Sequence, residues 1–487
     1  MKTQCNQIRF KFSRAANRDV VSNFDGGVIT SFGGLPLLRE ADRHLGLIAQ
    51  LSRCFTDHRD PDRIEHPLES LLGQRVFALA LGEEDLNDHD TLRTDPLLAA
   101  MVGSRDPLGQ DRIRERDRGK PLAGKSTLNR LELTAPGADA QSRYKKIVAH
   151  CRSIDDLFVD LFMQALGDAM PSQPLIIDFD ATDDPLHGNQ LGRFFHGYYD
   201  SYCYLPLYVF CGEHLLAARL RPANIDASAG ALKVLRQVVQ RLREKWPKVR
   251  IIVRGDSGFC RQTIMRWCEE NGVDYVLGLS RNQRLERAIG KQMHEVEQEY
   301  QKTGRPQRQF VDLCYRTQKS WSRPRRVVAK AEYLQGGSNP RFVVTSIAAV
   351  GGDHGGDPER PGMEGKALYE DVYCGRGDME NRIKEQQLCL FADRTSAATM
   401  RANQLRLYLS SMAYVLIQAI RRLGLQGTEL ARAQCSTIRE KLLKIGAQVT
   451  VTVRNIWVAM SRAFPRQAIF DTVYRRLISL PTAVVQT

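Results

Sequence analysis

Apolar residues recur every three or four positions over residues 33–49 and again over 68–81, the spacing of helices with one buried face. Residues 1 to about 150 therefore read as mostly helical, and in STLNRLE either Ser126 or Thr127 is placed to cap a further helix. From Pro174 the period shortens. PLIIDFD is a short apolar run ending in carboxylates, and YLPLYVF and HLLAARLRPA read as two further strands. GALKVLRQVVQRLREKW follows as a strongly amphipathic helix, then the strand KVRIIVRGD, the helix RQTIMRWCEENG ending at Gly272, and the strand VDYVLGLS. After about Asn282 come β-type runs (RQFVDLCYRT, RRVVAKAEYL, RFVVTSIAAV) and a glycine-rich loop, VGGDHGGDPERPGMEG. A helix returns from Asp378 to about Asp393. A longer one, near 400–423, carries Leu405, Leu409, Met412, Leu416 and Ile420 along one stripe, as core or dimer packing would.

Three strands followed by helix-linked strands make a mixed sheet, the order of an RNase H-like fold and not of a doubly wound one. The fold expected is α/β, an RNase H-like mixed-sheet catalytic core with a β-rich insertion and helical N-terminal and C-terminal regions. Its divisions fall at 1–170 (helical, DNA-binding), 171–285 (first part of the core), 286–366 (insertion), 367–425 (second part of the core) and 426–487 (helical tail).

The chain has 487 residues, enough for several domains, and 43% hydrophobic residues, the balance of an ordinary globular protein. Charge changes the picture. A formal net charge of +14 favours a polyanionic partner, because each phosphate neutralised releases condensed counterions. Residues 105–125 hold seven basic and four acidic side chains among Gly and Pro, which suits either a solvated linker or a contact to DNA phosphates. The 11 cysteines form no CxxC pair and no zinc-finger spacing with His, so reduced thiols in a cytosolic protein are expected. No uninterrupted apolar run approaches the ~20 residues that cross a bilayer, and MKTQCNQIRFKFSRAANRD lacks the apolar core of a signal peptide. No membrane role and a cytoplasmic location follow as expectations.

Three acidic constellations stand at ends of these elements. Asp178 and Asp180 share one face of their strand, since side chains two apart point the same way. Buried carboxylates there are costly unless paired or metal-bound; a polar turn leaving the strand is the plain alternative. Asp256 ends the strand RIIVRGD, and an acid just before a helix is by itself commonplace. Tyr373, Arg376 and Glu380 lie in YCGRGDMENRIKEQQ, where Glu380 and Lys384 are four apart and would also suit a surface ion pair. Together the signals gain weight. In an RNase H-like sheet the first and fourth strands are neighbours, bringing Asp180 beside Asp256, with Glu380 arriving from a later helix. Two-metal phosphoryl transfer needs such converging carboxylates, and hard oxygen donors without nearby Cys or His favour Mg2+ or Mn2+.

Tyr373, Arg376 and Glu380, spaced by two and three residues, resemble the Tyr-Arg-Glu signature of DDE transposases in the insertion-sequence four (IS-four) superfamily. DFDATDDPLHG, RFFHGYYDSYCYLPLYVF, IIVRGDSGF and NQLRLYLSSMAYVLIQAIRR are most similar to the related bacterial insertion-sequence group numbered thirteen-eighty, over about 126–422. The resemblance implies a catalytic triad of Asp180, Asp256 and Glu380. Asp178 is a rival for the first position and a further metal ligand. Tyr373, Arg376 and Lys384 would contact DNA, as would Arg325, Arg326 and Trp321, the last either stacking on an unstacked base or packing within the insertion. The implied partners are double-stranded DNA, both the element's terminal inverted repeats and the target, and a second copy of the chain in a homodimeric synaptic complex at the bacterial nucleoid. Two positions depart from the pattern: Gln387 stands where Lys is expected, leaving Lys384 or Lys366 to replace it, and Leu191 stands where Glu is expected. A nuclease that cuts without joining and an inactive DNA-binding regulator are the alternatives.

Overall fold

The computed structural model describes residues 9–351 and 362–483, and most of the glycine-rich loop 350–365 and Cys5 lie outside them. The chain divides into two units, Met1–Ala149 with Met412–Thr487, and His150–Ser411.

The second unit is organised by a nine-stranded sheet. Its elements in chain order are α1 (Cys151–Leu166), β1 (Leu175–Ala181), β2 (Leu207–Cys211), β3 (His214–Arg219), α2 (Ala231–Lys245), β4 (Ile251–Gly255), α3 (Gln262–Glu270), β5 (Asp274–Leu279), β6 (Gln307–Tyr315), β7 (Arg325–Leu334), β8 (Arg341–Thr345) and α4 (Gly377–Lys384). The spatial order is β3-β2-β1-β4-β5-β8-β7-β6, with the short strand Gly337–Ser338 beside β7. β2 pairs antiparallel with β1, while β1, β4 and β5 run parallel, so the sheet is mixed as the strand-and-helix order predicts.

The runs read as an insertion do not form a separate body. β8 pairs with β5 and β7 with β8, so they continue the same sheet beyond its fifth strand. Alternation explains how the sheet is covered. Ile177, Phe179, Val253, Tyr275, Val327 and Val344 point to one side and pack with Phe162, Leu235 and Met265 of α1, α2 and α3. Ile252, Val276, Val328 and Val343 point to the other and pack with Leu368, Tyr369 and Val372. Asp178, Asp180 and Arg254, being even-numbered on their strands, share that second side.

The other unit is described by itself. The periodic run 33–49 forms two helices, Leu35–Leu45 and Leu47–Ser52, broken at Gly46, whose φ of 63° a side chain would strain. The second run is a helix over Leu68–Leu81. The helix Lys125–Glu132 starts one residue before the expected caps, with Gly124 at its N-cap and no side-chain cap. Residues 426–487, expected to be helical, also form a hairpin, Ala447–Val451 with Ile456–Met460, joined by Ile29–Thr30. The alternating β-branched run QVTVTV accounts for it. Among the described residues no helix is long and apolar enough to cross a membrane.

Candidate functional site

Parallel pairing of β1 with β4 sets Asp178 opposite Arg254 and Phe179 opposite Gly255. The next residues, Asp180 and Asp256, therefore sit at the same end of neighbouring strands. Asp256 is turned by its own local structure: it caps the short turn Ser257–Phe259, accepting a 2.8 Å hydrogen bond from the Gly258 amide.

The third acidic residue comes from the segment that covers this side of the sheet. That segment is irregularly wound: a π turn (Leu368–Tyr373), a 3-10 turn (Cys374–Arg376), the α-helical α4, and a second π turn (Glu385–Cys389). Two glycines let it approach the strands. A Cβ at Gly278 would lie 2.6 Å from the Tyr373 hydroxyl, and one at Gly375 would lie 2.6 Å from Nη1 of Arg254.

Arg376 ties the acids together. Its Nη1 is 3.4 Å from Asp180 Oδ2 and its Nη2 donates to Glu380 Oε1 at 2.9 Å. Burial pushes the Asp180 carboxyl up to about 6, against the attraction of Arg376 and with help from the negative charges of Asp256 and Glu380. Tyr373 is half-buried, and burial raises its hydroxyl above the ordinary tyrosine range. As they stand, no three acidic, His or Cys side chains among the described residues are gathered closely enough to hold a metal ion. A guanidinium is the cation that now bridges two of the three acids.

Asp178 has a different occupation. It is 3% exposed, and Arg254 grips both its oxygens, Nε to Oδ1 at 2.5 Å and Nη2 to Oδ2 at 2.7 Å. Arg254 also donates to the Val372 carbonyl. Sequence reasoning missed Arg254; a charged residue within the apolar run RIIVRG was the available signal. It also missed Tyr199, whose hydroxyl lies 3.4 Å from the Ala181 carbonyl and is pushed up to about 12 by burial and by Asp183, Asp180 and Asp256.

The remaining expected DNA contacts are not brought to this site. Trp321 is 4% exposed; its ring meets Tyr315 edge-on and carries Arg325 5.3 Å from its centroid, so it belongs to the core and presents no open face to a base. Arg325 is buried on Glu269, donating from Nε and Nη2 at 2.6 and 3.1 Å. Arg326 bonds Asp312 and the carbonyls of Ile347, Ala348 and Met363. The two arginines satisfy buried or local acceptors and the Trp321 ring is packed, so none of the three is open to DNA as placed. Lys384 and Lys366 are exposed. Gln387, in the expected lysine position, donates from Nε2 to the Asp183 carbonyl at 2.8 Å.

The family described as Transposase DDE domain group 1 matches residues 12–482. No curated protein matches the chain.

Proposed function

Since the chain belongs to the Transposase DDE domain group 1 family, we propose that it binds the terminal inverted repeats of a bacterial insertion sequence of the thirteen-eighty group, cuts DNA there and joins the cut ends to a target. The observation that carries this reading is the register of β1 and β4, which sets Asp180 beside Asp256, together with Arg376, which links Asp180 to Glu380. The strand order β3-β2-β1-β4-β5 supports an RNase H-like core.

Asp180, Asp256 and Glu380 are the catalytic carboxylates in this proposal, and Asp178 serves as the buried partner of Arg254. Members of the family typically use a divalent metal, and the donor chemistry suits Mg2+ or Mn2+ once Arg376 withdraws and the three hard carboxylates close up; one of them, Asp180, is raised to about 6, chiefly by burial. Bound by these three, the ion would stabilise the charge that develops in an in-line displacement at phosphorus. Arg376, released from the acids, turns its two-pronged guanidinium to a phosphate beside the scissile bond, where bidentate pairing fixes orientation. Tyr373, held against Gly278, offers its hydroxyl as a neutral donor to the same backbone. Water or a DNA 3′-hydroxyl forms the new P–O bond as the old one breaks. Two copies of the chain act on the paired ends.

The test is a duplex carrying the DNA that flanks the reading frame, incubated with Mg2+. Nicks at the element boundary, and joining when pre-cut ends and target are supplied, are expected. Asp180→Ala and Asp256→Ala should each lower cleavage by at least about 10³-fold, the scale of removing one member of a unit that acts together, while the duplex is still bound. Cleavage without joining would replace this reading with a nuclease.

A further inference from the structure

The unit formed by residues 1–149 and 412–487 contains a cavity of about 600 Å³. Its walls hold seven arginines and Lys146 against four carboxylates. Three of those carboxylates are already engaged: Glu65 with Arg112 at 3.0 Å, Asp117 with Arg93 at 3.3 Å and Asp90 with Lys125 at 3.3 Å. Arg114, Arg130 and Lys146 line the cavity with no carboxylate partner among the described residues.

Other features add to the same sign. The Arg112 side chain is only 8% exposed and its Nε has no hydrogen-bond partner. The His66 ring, also on the wall, is pushed down to about 4 by burial and by the charges of Arg112, Arg93 and Arg59. Gly124, Ser126 and Thr127 bring the start of the helix Lys125–Glu132 to the cavity, and a helix N-terminus attracts anions.

The ligand chemistry follows from what the walls lack. Pockets for small organic molecules are mostly apolar, whereas here the apolar wall is Ile113, Ile147 and Tyr144. The Tyr144 ring is occupied by Arg130 and Arg143, each 4.9 Å from its centroid. Residues 119–126, GKPLAGKS, match the spacing of a nucleotide phosphate loop. The element before them is a 3-10 turn, Glu115–Asp117, where that loop needs a strand, and Lys125 is bound to Asp90 and Asn87. A nucleoside triphosphate therefore does not fit.

We propose that this cavity is a second DNA site, which holds phosphates of the duplex backbone through Arg114, Arg130, Lys146 and the start of the helix Lys125–Glu132. The transposase reading enters only in choosing DNA as the polyanion. The full chain is titrated with a fluorescent duplex of the flanking DNA at several salt concentrations. Replacing Arg114, Arg130 and Lys146 together by Gln should flatten log K against log salt by about one unit per lost cation. Should the triple variant melt early, Arg114→Gln, at an exposed position, should still flatten it by about one unit and Arg114→Lys should restore it. A slope unchanged in folded variants overturns the site. Wild-type chain that binds no duplex at any salt would instead overturn the transposase reading.

Discussion

The strand-end site and the arginine cavity are built with opposite charge, and each is held in shape by a minority of the other sign. At the strand ends a single guanidinium, Arg376, reaches Asp180 and Glu380. In the cavity Glu65 and Asp117 hold Arg112 and Arg93. The two differ in what the concentration of charge does. A carboxylate responds to burial and to its neighbours by taking up a proton, as Asp180 does at about 6. A guanidinium stays charged in any protein environment, so the cavity keeps its field whatever surrounds it. In the proposed reading the acidic site still awaits a divalent cation, whereas the basic one presents its charge as folded.

The largest test of this comparison is Asp178→Ala. Asp178 is an acid already supplied with its cation, so its loss strands Arg254 in the interior and should cost about 3–5 kcal/mol in a denaturant titration. Asp180→Ala, at a crowded acid, should leave stability near wild type or raise it. Equal destabilisation by the two would erase the distinction between the paired carboxylate and the one proposed to be catalytic.

Asp184 sharpens it on a smaller scale. It is 1% exposed, and among the described residues no Lys or Arg pairs with it. Burial, with Asp393 adding, pushes its carboxyl from 3.8 to about 8. The folded chain thus holds this proton more tightly than the unfolded one. The stability so gained is complete below pH 3.8 and is lost as pH rises towards about 8. Asp184→Asn should gain on wild type by roughly 1–3 kcal/mol between pH 5 and 8. Thermal melts that stay a constant distance apart across that range would contradict it.

The smallest effect concerns Lys384, exposed one helical turn beyond Glu380. Lys384→Ala should reduce the salt dependence of DNA binding by about one unit and leave cleavage at saturating DNA close to wild type. A large loss of cleavage would mean that this cation acts at the scissile bond.

What could be read from the chain divides along the line between local and distant pairing. The strands and their order along the chain were legible, because short apolar runs bounded by polar or turn residues need no partner to be seen. That Asp178 and Asp180 share a face followed from alternation alone. Their separate fates did not, since the register that sets Asp178 opposite Arg254 joins residues far apart in the chain. The strands beyond Asn282 were legible as strands, but nothing local shows that they extend the first sheet through β5 and β8. Trp321, among basic residues, reads either as a base-stacking aromatic or as packing within the insertion, and its neighbours in sequence do not choose between them. It is buried because its amide bonds the Thr317 hydroxyl, folding the turn back onto Tyr315, while Glu269, 56 residues earlier, takes the charge of Arg325.

The bridge between Asp180 and Arg376 spans 196 residues of chain. At ribosomal speeds of about 5–20 residues per second, roughly 10–40 s pass between synthesis of its two ends. Throughout that interval the nascent chain has Asp180 but neither Arg376 nor Glu380, and residues 412–487, which complete the amino-terminal unit, are still to come. The proposed carboxylate site is therefore among the last features of its unit to be completed, and a chain broken off before Arg376 carries Asp180 and Asp256 without the guanidinium that holds Asp180 to Glu380.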